Sequence, residues 1–320
     1  MDRKLLSLYG LKYNPFSPDV PVEALYLNPR VEHFCWRLET MTRDGGFAQL
    51  TGDPGLGKSA ALRLLEDRLG RVVDLKVGVV IRPQGGVADF YRELGDLFGV
   101  QLSPHNRWAG AKVLRARWLS HIEHALFRPV LLVDDAQEMA SVVLTELRLL
   151  SSACLDSKML LTVLLAGDGR LPERFRGEDL LALGTRMRAR LLVEPAAPAD
   201  LLTCLEHRLK AAGNPKLATD ELKHTLCEHA AGNMRALLTM GDQLLAEAAL
   251  RQARQIDEKL YLEVFTVPKP PPAPKPTDKR RRRCRLCLSS SHATWLPVRP
   301  KATVSSRACG PSKPSESWAA

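Results

Sequence analysis

The 320-residue chain has no apolar run long enough to cross a membrane. Its most apolar window, Leu160–Ala166, falls far short of the roughly 20 residues that a spanning helix needs. A disulfide framework is missing as well. The seven cysteines are scattered at positions 35, 154, 204, 227, 284, 287 and 309. An odd, irregular set excludes the small disulfide-stapled class and predicts a reducing compartment. No secretory leader is visible, because Met1-Asp2-Arg3-Lys4 runs into too short an apolar stretch. The expectation is a cytoplasmic protein with no membrane contact.

The body of the chain also has no charge excess. The formal net charge is +10, a sum that by itself points to a nucleic-acid partner. Of 46 basic and 36 acidic residues, however, 12 basic and two acidic ones lie in 268–320, which leaves 34 of each in residues 1–267. The whole excess therefore belongs to the tail. There it adds sequence-independent attraction to phosphates and carries no information about the fold.

With 45% hydrophobic residues, the chain has material for one large α/β domain and a smaller one. The first 30 residues are rich in loop signals: Tyr9-Gly10, Asn14-Pro15, Ser17-Pro18, Asn28-Pro29. Strands are predicted over 47–51, 72–81, 129–133, 160–166 and 190–194. Helices are predicted between them over 31–40, 60–69, 87–98, 108–127 and 142–152. From Pro198 to Phe265 only helices follow, at 199–212, 220–231, 234–251 and 257–265. Alternating strands and helices followed by a helical run predict a parallel-sheet core with a small helical domain behind it. The Pro-Lys stretch 268–276 and the Ser/Arg/Pro-rich residues after it predict a disordered basic tail.

One segment carries specific chemistry. Gly52-Asp53-Pro54-Gly55-Leu56-Gly57-Lys58-Ser59 fits Gly-x-x-x-x-Gly-Lys-Ser. Triphosphate oxygens need converging backbone N–H groups, and glycine lets the backbone approach closely. Lys58 supplies charge to the β and γ phosphates, and Ser59 supplies a hydroxyl to Mg²⁺. The helix starting near Ala60 turns its N-terminus to the phosphates. A strand before the loop and an amphipathic helix after it complete the expected context. Further on, the apolar strand 130–133 ends in Asp134-Asp135. Asp134 is placed to reach Mg²⁺ through its water shell, and Asp135 to activate the attacking water. A solvated strand end is the plain alternative for this pair.

With both motifs placed, the chain resembles the AAA+ ATPases of the ExeA-like group, which includes helper ATPases of bacterial transposons. The resemblance covers about residues 5 to 265. Its marks are Tyr9-Gly10-Leu11, Asn14-Pro15-Phe16, the loop at 52–59, Asp134-Asp135-Ala136-Gln137-Glu138 and Gly232-Asn233-Met234-Arg235. It implies a P-loop AAA+ fold: an α/β nucleotide-binding domain over 1–195, a helical lid domain over 196–267 and the tail over 268–320. In this group the residue after the first acidic one is most often glutamate. Asp135 is shorter by one C–C bond, about 1.5 Å. Asp168, after the fourth core strand, falls near the position that senses the γ-phosphate; a turn aspartate in Gly-Asp-Gly is the other reading. Arg186 falls where such families carry an arginine finger that acts on a neighbouring subunit, with Arg190 as the second candidate. Alternate arginines at 186, 188 and 190 also suit an exposed strand edge. Arg235 matches the lid arginine that contacts nucleotide. Asn14-Pro15-Phe16 and Tyr26-Leu27 are candidates for the adenine pocket or for core packing.

The resemblance implies an ATPase that converts ATP to ADP and phosphate with Mg²⁺ and self-associates into an oligomer. A DNA-transposition helper, working with double-stranded DNA and a transposase, is the reading preferred on the sequence. An ExeA-type secretion-associated ATPase and an ATP-gated binding module with little hydrolysis are the alternatives. Cys284-x-x-Cys287 with His292, and the pair His121 and His124, fall short of a four-ligand zinc set.

Overall fold

Three central segments, 46–52, 128–133 and 162–167, form strands buried on both faces, and two half-exposed strands flank them at the sheet edges. The computed structural model describes residues 3–80, 83–101, 107–124, 128–154 and 157–265. The strands are β1 (Gly46–Gly52), β2 (Leu75–Val80), β3 (Arg128–Val133), β4 (Ser152–Ala153), β5 (Lys158–Met159), β6 (Thr162–Gly167) and β7 (Met187–Val193). Five of them make one parallel sheet in the order β2-β3-β6-β1-β7, and β4 with β5 is a separate antiparallel pair. The side-chain period of two sorts the central strands between two cores. Phe47, Leu131, Val133, Val163 and Leu165 face one core, built mainly with Phe90, Leu94, Trp118 and Leu144. Ala48, Leu50, Val130, Leu132, Leu164 and Ala166 face the other, with Phe34, Leu38, Leu62 and Leu65.

Twelve helices are described: α1 (Arg3–Tyr9), α2 (Pro29–Met41), α3 (Lys58–Gly70), α4 (Val87–Phe98), α5 (Arg107–Glu123), α6 (Ser141–Leu150), α7 (Arg170–Arg174), α8 (Leu181–Gly184), α9 (Pro198–Ala212), α10 (Asp220–His229), α11 (Met234–Leu250) and α12 (Glu258–Phe265). The last four build a third core around Leu201, Leu205, Leu222, Leu244 and Leu245. Tyr9, Leu11 and Phe16 from the N-terminal segment pack into this same core. Backbone bonds fasten them there: Lys12 N–H donates to Ala212 O at 2.9 Å, and Asn214 Nδ2 donates to Tyr9 O at 2.8 Å.

Several elements depart from the sequence expectation. α1 forms where only loop signals were read, and Gly10, at φ 63°, ends it. β2 begins at Leu75, not Val72. Val72 and Val73 are 46% and 91% exposed, in a turn closed by Leu75 N–H to Val72 O. β7 begins three residues before the expected Arg190. α5 runs to Glu123, with His124 in the turn after it; residues 125–127 of the expected 108–127 helix, the end of the expected strand at 81 and the basic tail lie outside the described residues. Among the described residues, no helix is long and apolar enough to cross a membrane.

Candidate functional site

β1 delivers the glycine loop to the C-terminal edge of the sheet, and β3 and β6 deliver Asp134 and Asp168 to the same edge. Parallel strands end together, so three sequence-distant segments meet there. The loop turns at Gly55 (φ 90°) and Gly57 (φ 97°), both left-handed, and Gly57 caps α3. A Cβ on Gly55 would lie 2.3 Å from Asn233 Oδ1. Glycine is required there for both reasons.

Lys58 is only 9% exposed. Its Nζ donates to the carbonyls of Gly52 at 2.8 Å and Asp53 at 2.9 Å. Burial lowers its pKa from 10.5, and the carboxylates of Asp134, Asp135 and Asp168 oppose that shift. Ser59 Oγ donates to Asp134 Oδ2 at 2.6 Å, which joins the glycine loop to the end of β3. Asp134 Oδ1 accepts from Asp135 N–H at 3.0 Å. A hydroxyl and a carboxylate in contact form a hard-oxygen pair of the kind Mg²⁺ takes alongside phosphate oxygens. The residues present therefore fit that ion.

Asp135 is exposed and left-handed (φ 50°, ψ 38°), and its Oδ1 accepts from Gln137 Nε2 at 3.0 Å. Asp168 is engaged elsewhere. Its Oδ1 accepts from Arg170 N–H at 2.9 Å and its Oδ2 from Arg170 Nε at 2.8 Å, and these bonds lower its pKa. It has the geometry of a turn aspartate that is also ion-paired, and it still lines the cleft.

The cleft has a volume of about 690 Å³. Lys58, Ser59, Asp134, Asp135, Asp168 and Arg235 all line it. α11 closes one side. Asn233 Nδ2 donates to Pro54 O at 3.1 Å, and Arg235 N–H donates to Gly55 O at 3.1 Å. A smaller pocket of about 70 Å³ adjoins it, lined by residues that include Tyr26, Leu27, Leu56, Ala60, Cys204 and Met234. Of the N-terminal candidates, Tyr26 and Leu27 line this pocket, whereas Asn14 and Phe16 line the main cleft.

Arg186 is not part of this cleft. It precedes β7 at the opposite end of the sheet, beside Phe47. Five residues of strand separate Phe47 from Gly52, a span of about 17 Å. Arg188 and Arg190 lie on β7, an edge strand, as the exposed-edge alternative expected. Their guanidinium groups donate to Gly45 O and Gly184 O.

Two residues near the cleft are not among the site candidates, although Gln137 lies within the 134–138 motif. Gln137 links Asp135 to β6. Arg208, 5% exposed, lines both pockets and donates to Pro15 O at 2.8 Å and Ser17 O at 2.7 Å. Burial lowers its pKa. Among the described residues no group of three or more His, Cys, Asp or Glu side chains forms a metal-binding cluster by itself, and Cys284, Cys287 and His292 lie outside those residues.

Residues 41–175 match the model of the AAA domain family. General secretion pathway protein A of Aeromonas hydrophila is 30% identical over 253 residues. That match covers 78% of this chain but only 45% of the relative, so the chain spans less than half of that protein's length. Among solved structures, Cdc6p of Pyrobaculum aerophilum superposes with a TM-score of 0.60 at 15% identity, covering 76% of this chain and 67% of that one. The Drosophila origin recognition complex bound to DNA gives 0.59 at 18% identity, covering 83% and 67%. Domain III of the replication initiation protein DnaA of Thermotoga maritima gives 0.54 at 16% identity, covering 78% and 96%. At these identities the structures establish the fold alone. The chain has the P-loop AAA+ fold, matches the AAA domain family over residues 41–175, and is similar to General secretion pathway protein A over less than half of that protein's length.

Proposed function

We propose that this chain binds ATP with Mg²⁺ in the cleft under α11 and hydrolyses it to ADP and phosphate. The observation that carries the reading is the 2.6 Å bond between Ser59 and Asp134, which joins the two motifs beside the buried Lys58. The backbone of Gly52–Ser59 and the first turn of α3, which includes Ala60, receive the phosphates. Lys58 exchanges the carbonyls of Gly52 and Asp53 for β and γ oxygens. Mg²⁺ held by Ser59 and Asp134 would neutralise charge that builds on those oxygens. Asp135 takes the proton of the attacking water as its oxygen bonds to the γ-phosphorus; the β–γ bridging bond breaks and ADP leaves. Arg235 approaches the phosphates from α11, and the base enters the pocket lined by Tyr26, Leu27 and Met234. In this reading residues 196–267 act as a lid domain on the 1–195 nucleotide domain, and Asp168 holds the loop at the γ-phosphate end. Arg186 serves the site of a neighbouring copy in an oligomer.

Phosphate release from ATP, measured for the native chain and for Lys58→Ala, tests this. Loss of turnover in the variant is expected; equal rates would overturn the reading.

The relationship to General secretion pathway protein A supports a secretion-linked process as the work driven. A second reading, a transposition helper that binds double-stranded DNA and activates a transposase, draws on a different observation. Trp108 is 84% exposed on α5, one turn from the exposed Lys112, and the tail adds cationic residues. DNA binding and DNA-stimulated turnover at rising salt separate the two, because phosphate contacts weaken steeply with salt. If the ATP-loaded protein has no DNA affinity at low salt, the transposition reading falls.

A further inference from the structure

The water-activating carboxylate is held by a neighbour that reaches a second strand. Gln137 lies in the turn after β3, where the left-handed Asp135 starts a short 3-10 helix, Ala136–Glu138. That turn brings the amide back over Asp135, and Nε2 donates to Asp135 Oδ1 at 3.0 Å. The opposite end of the same amide accepts from the backbone N–H of Asp168 at 3.1 Å. A backbone N–H only donates, so the amide oxygen must face Asp168 and the NH₂ must face Asp135. The orientation is therefore fixed by the network.

The surroundings reserve this place for it. A Cβ on Gly167 would lie 2.6 Å from Gln137 Oε1, so glycine at the end of β6 makes room for the amide. Arg174 of α7 donates to the Gln137 carbonyl at 2.6 Å and to Ser141 Oγ at 3.3 Å. Arg170 binds Glu138 Oε1 at 2.7 Å and Asp168 Oδ2 at 2.8 Å. The turn is thus gripped on its outer side by two arginines, while Gln137 faces the cleft.

We propose that Gln137 is a positioning residue for ATP hydrolysis: its amide holds Asp135 against the end of β6 and leaves Oδ2 of Asp135 for the water. The inference rests on Asp135 being the proton acceptor of the reading above. An aspartate has less reach than a glutamate and needs its carboxylate fixed, because a misplacement near 1 Å costs on the order of 100-fold in rate. The bond to Asp168 N–H also links the acceptor to the strand end that faces the γ-phosphate.

Gln137→Glu is the informative variant. It preserves size and the oxygen that accepts from Asp168 N–H, and it replaces the donor to Asp135 with an acceptor. The expected result is a kcat at least ~10-fold lower, with the ATP dissociation constant within about 2-fold of native. A fold defect would move both. The same change is then made in an Asp135→Asn background. If Gln137 acts through Asp135, the second substitution adds less than about 2-fold to the loss. Unchanged kcat in Gln137→Glu, or losses that multiply in the double variant, would overturn the inference. The separate result with Lys58→Ala decides the ATPase reading itself, so the two failures are distinguishable.

Discussion

Asn233 Nδ2 donates to the carbonyl of Pro54 at 3.1 Å, so the first turn of α11 rests on the phosphate loop. The same side chain caps the helix, with Oδ1 accepting from Ala236 N–H at 3.2 Å. One residue thus sets both where the helix begins and what it covers. Asn233→Ala removes the cap, worth about 1 kcal/mol, and the contact to Pro54. ATP affinity should fall about 10-fold, the equivalent of about 1.4 kcal/mol, as read by titration with a fluorescent ATP analogue. Gly55→Ala approaches the contact from the other side, since its Cβ would lie 2.3 Å from Asn233 Oδ1. It should weaken binding at least as much. Native affinity in both variants would show that the docked helix plays no part in nucleotide binding.

Asp135→Asn separates holding ATP from cleaving it. The amide keeps an oxygen for Gln137 but takes no proton from water. Binding should stay within about 2-fold of native, while turnover falls by roughly 100- to 10,000-fold. Calorimetry gives the first quantity and phosphate release the second. Native turnover would remove Asp135 from the mechanism.

The legibility of this molecule follows the range of its interactions. The loop at 52–59 was readable because its donors, its lysine and its hydroxyl are consecutive. Asp134 was readable because four buried residues, 130–133, run straight into it. Arg235 needed the resemblance, since nothing local distinguishes it from a surface arginine. Gln137 meets Asp168 across 31 residues, and Arg208 meets Pro15 across 193. Such partners share no periodicity that a sequence window can detect. Val72 and Val73 misled for the converse reason: their apolar character predicts a strand, whereas a turn bonded through Val72 places them in solvent. Asp168 looked like a sensor by position, and Arg170, two residues on, takes up its carboxylate.

Three described thiols should stay silent toward an alkylating reagent in the native state. Cys35 is fully buried and burial pushes its pKa up to about 12. Cys204 and Cys227 are pushed up to about 11 by the same cause. Cys154 is exposed and should react. The sign of the pH effect follows from linkage. The unfolded thiols release protons near 9.0, before the folded ones do. Stability contributed by these thiols is therefore complete below pH 9 and is lost as pH rises toward 11 to 12, by up to about 1.4 kcal/mol per thiol per pH unit. Mass spectrometry after brief alkylation, and denaturant melts between pH 8 and about 11, measure the two effects. Rapid native labelling of Cys35 would contradict its burial.

Arg186 sits at the end of the sheet opposite the glycine loop, so to act as a finger it would have to reach a neighbour's site. That separation gives a test that a cis-acting residue cannot pass. Arg186→Ala retains an intact loop but offers no finger; Lys58→Ala offers the finger but has no working loop. Each variant alone should turn over at least ~100-fold slower than native. Mixed in equal amounts, they place the finger of Lys58→Ala copies against the loops of Arg186→Ala copies. About a quarter of the interfaces in a random mixture then join a working loop to a finger. Turnover should recover to that order, and it should rise with total protein concentration as oligomers form. No recovery on mixing, with both variants still folded and self-associating, would assign the finger elsewhere. Arg190→Ala in place of Arg186→Ala is the next comparison, because its guanidinium donates to Gly184 O within its own subunit and must leave that contact to act in a partner.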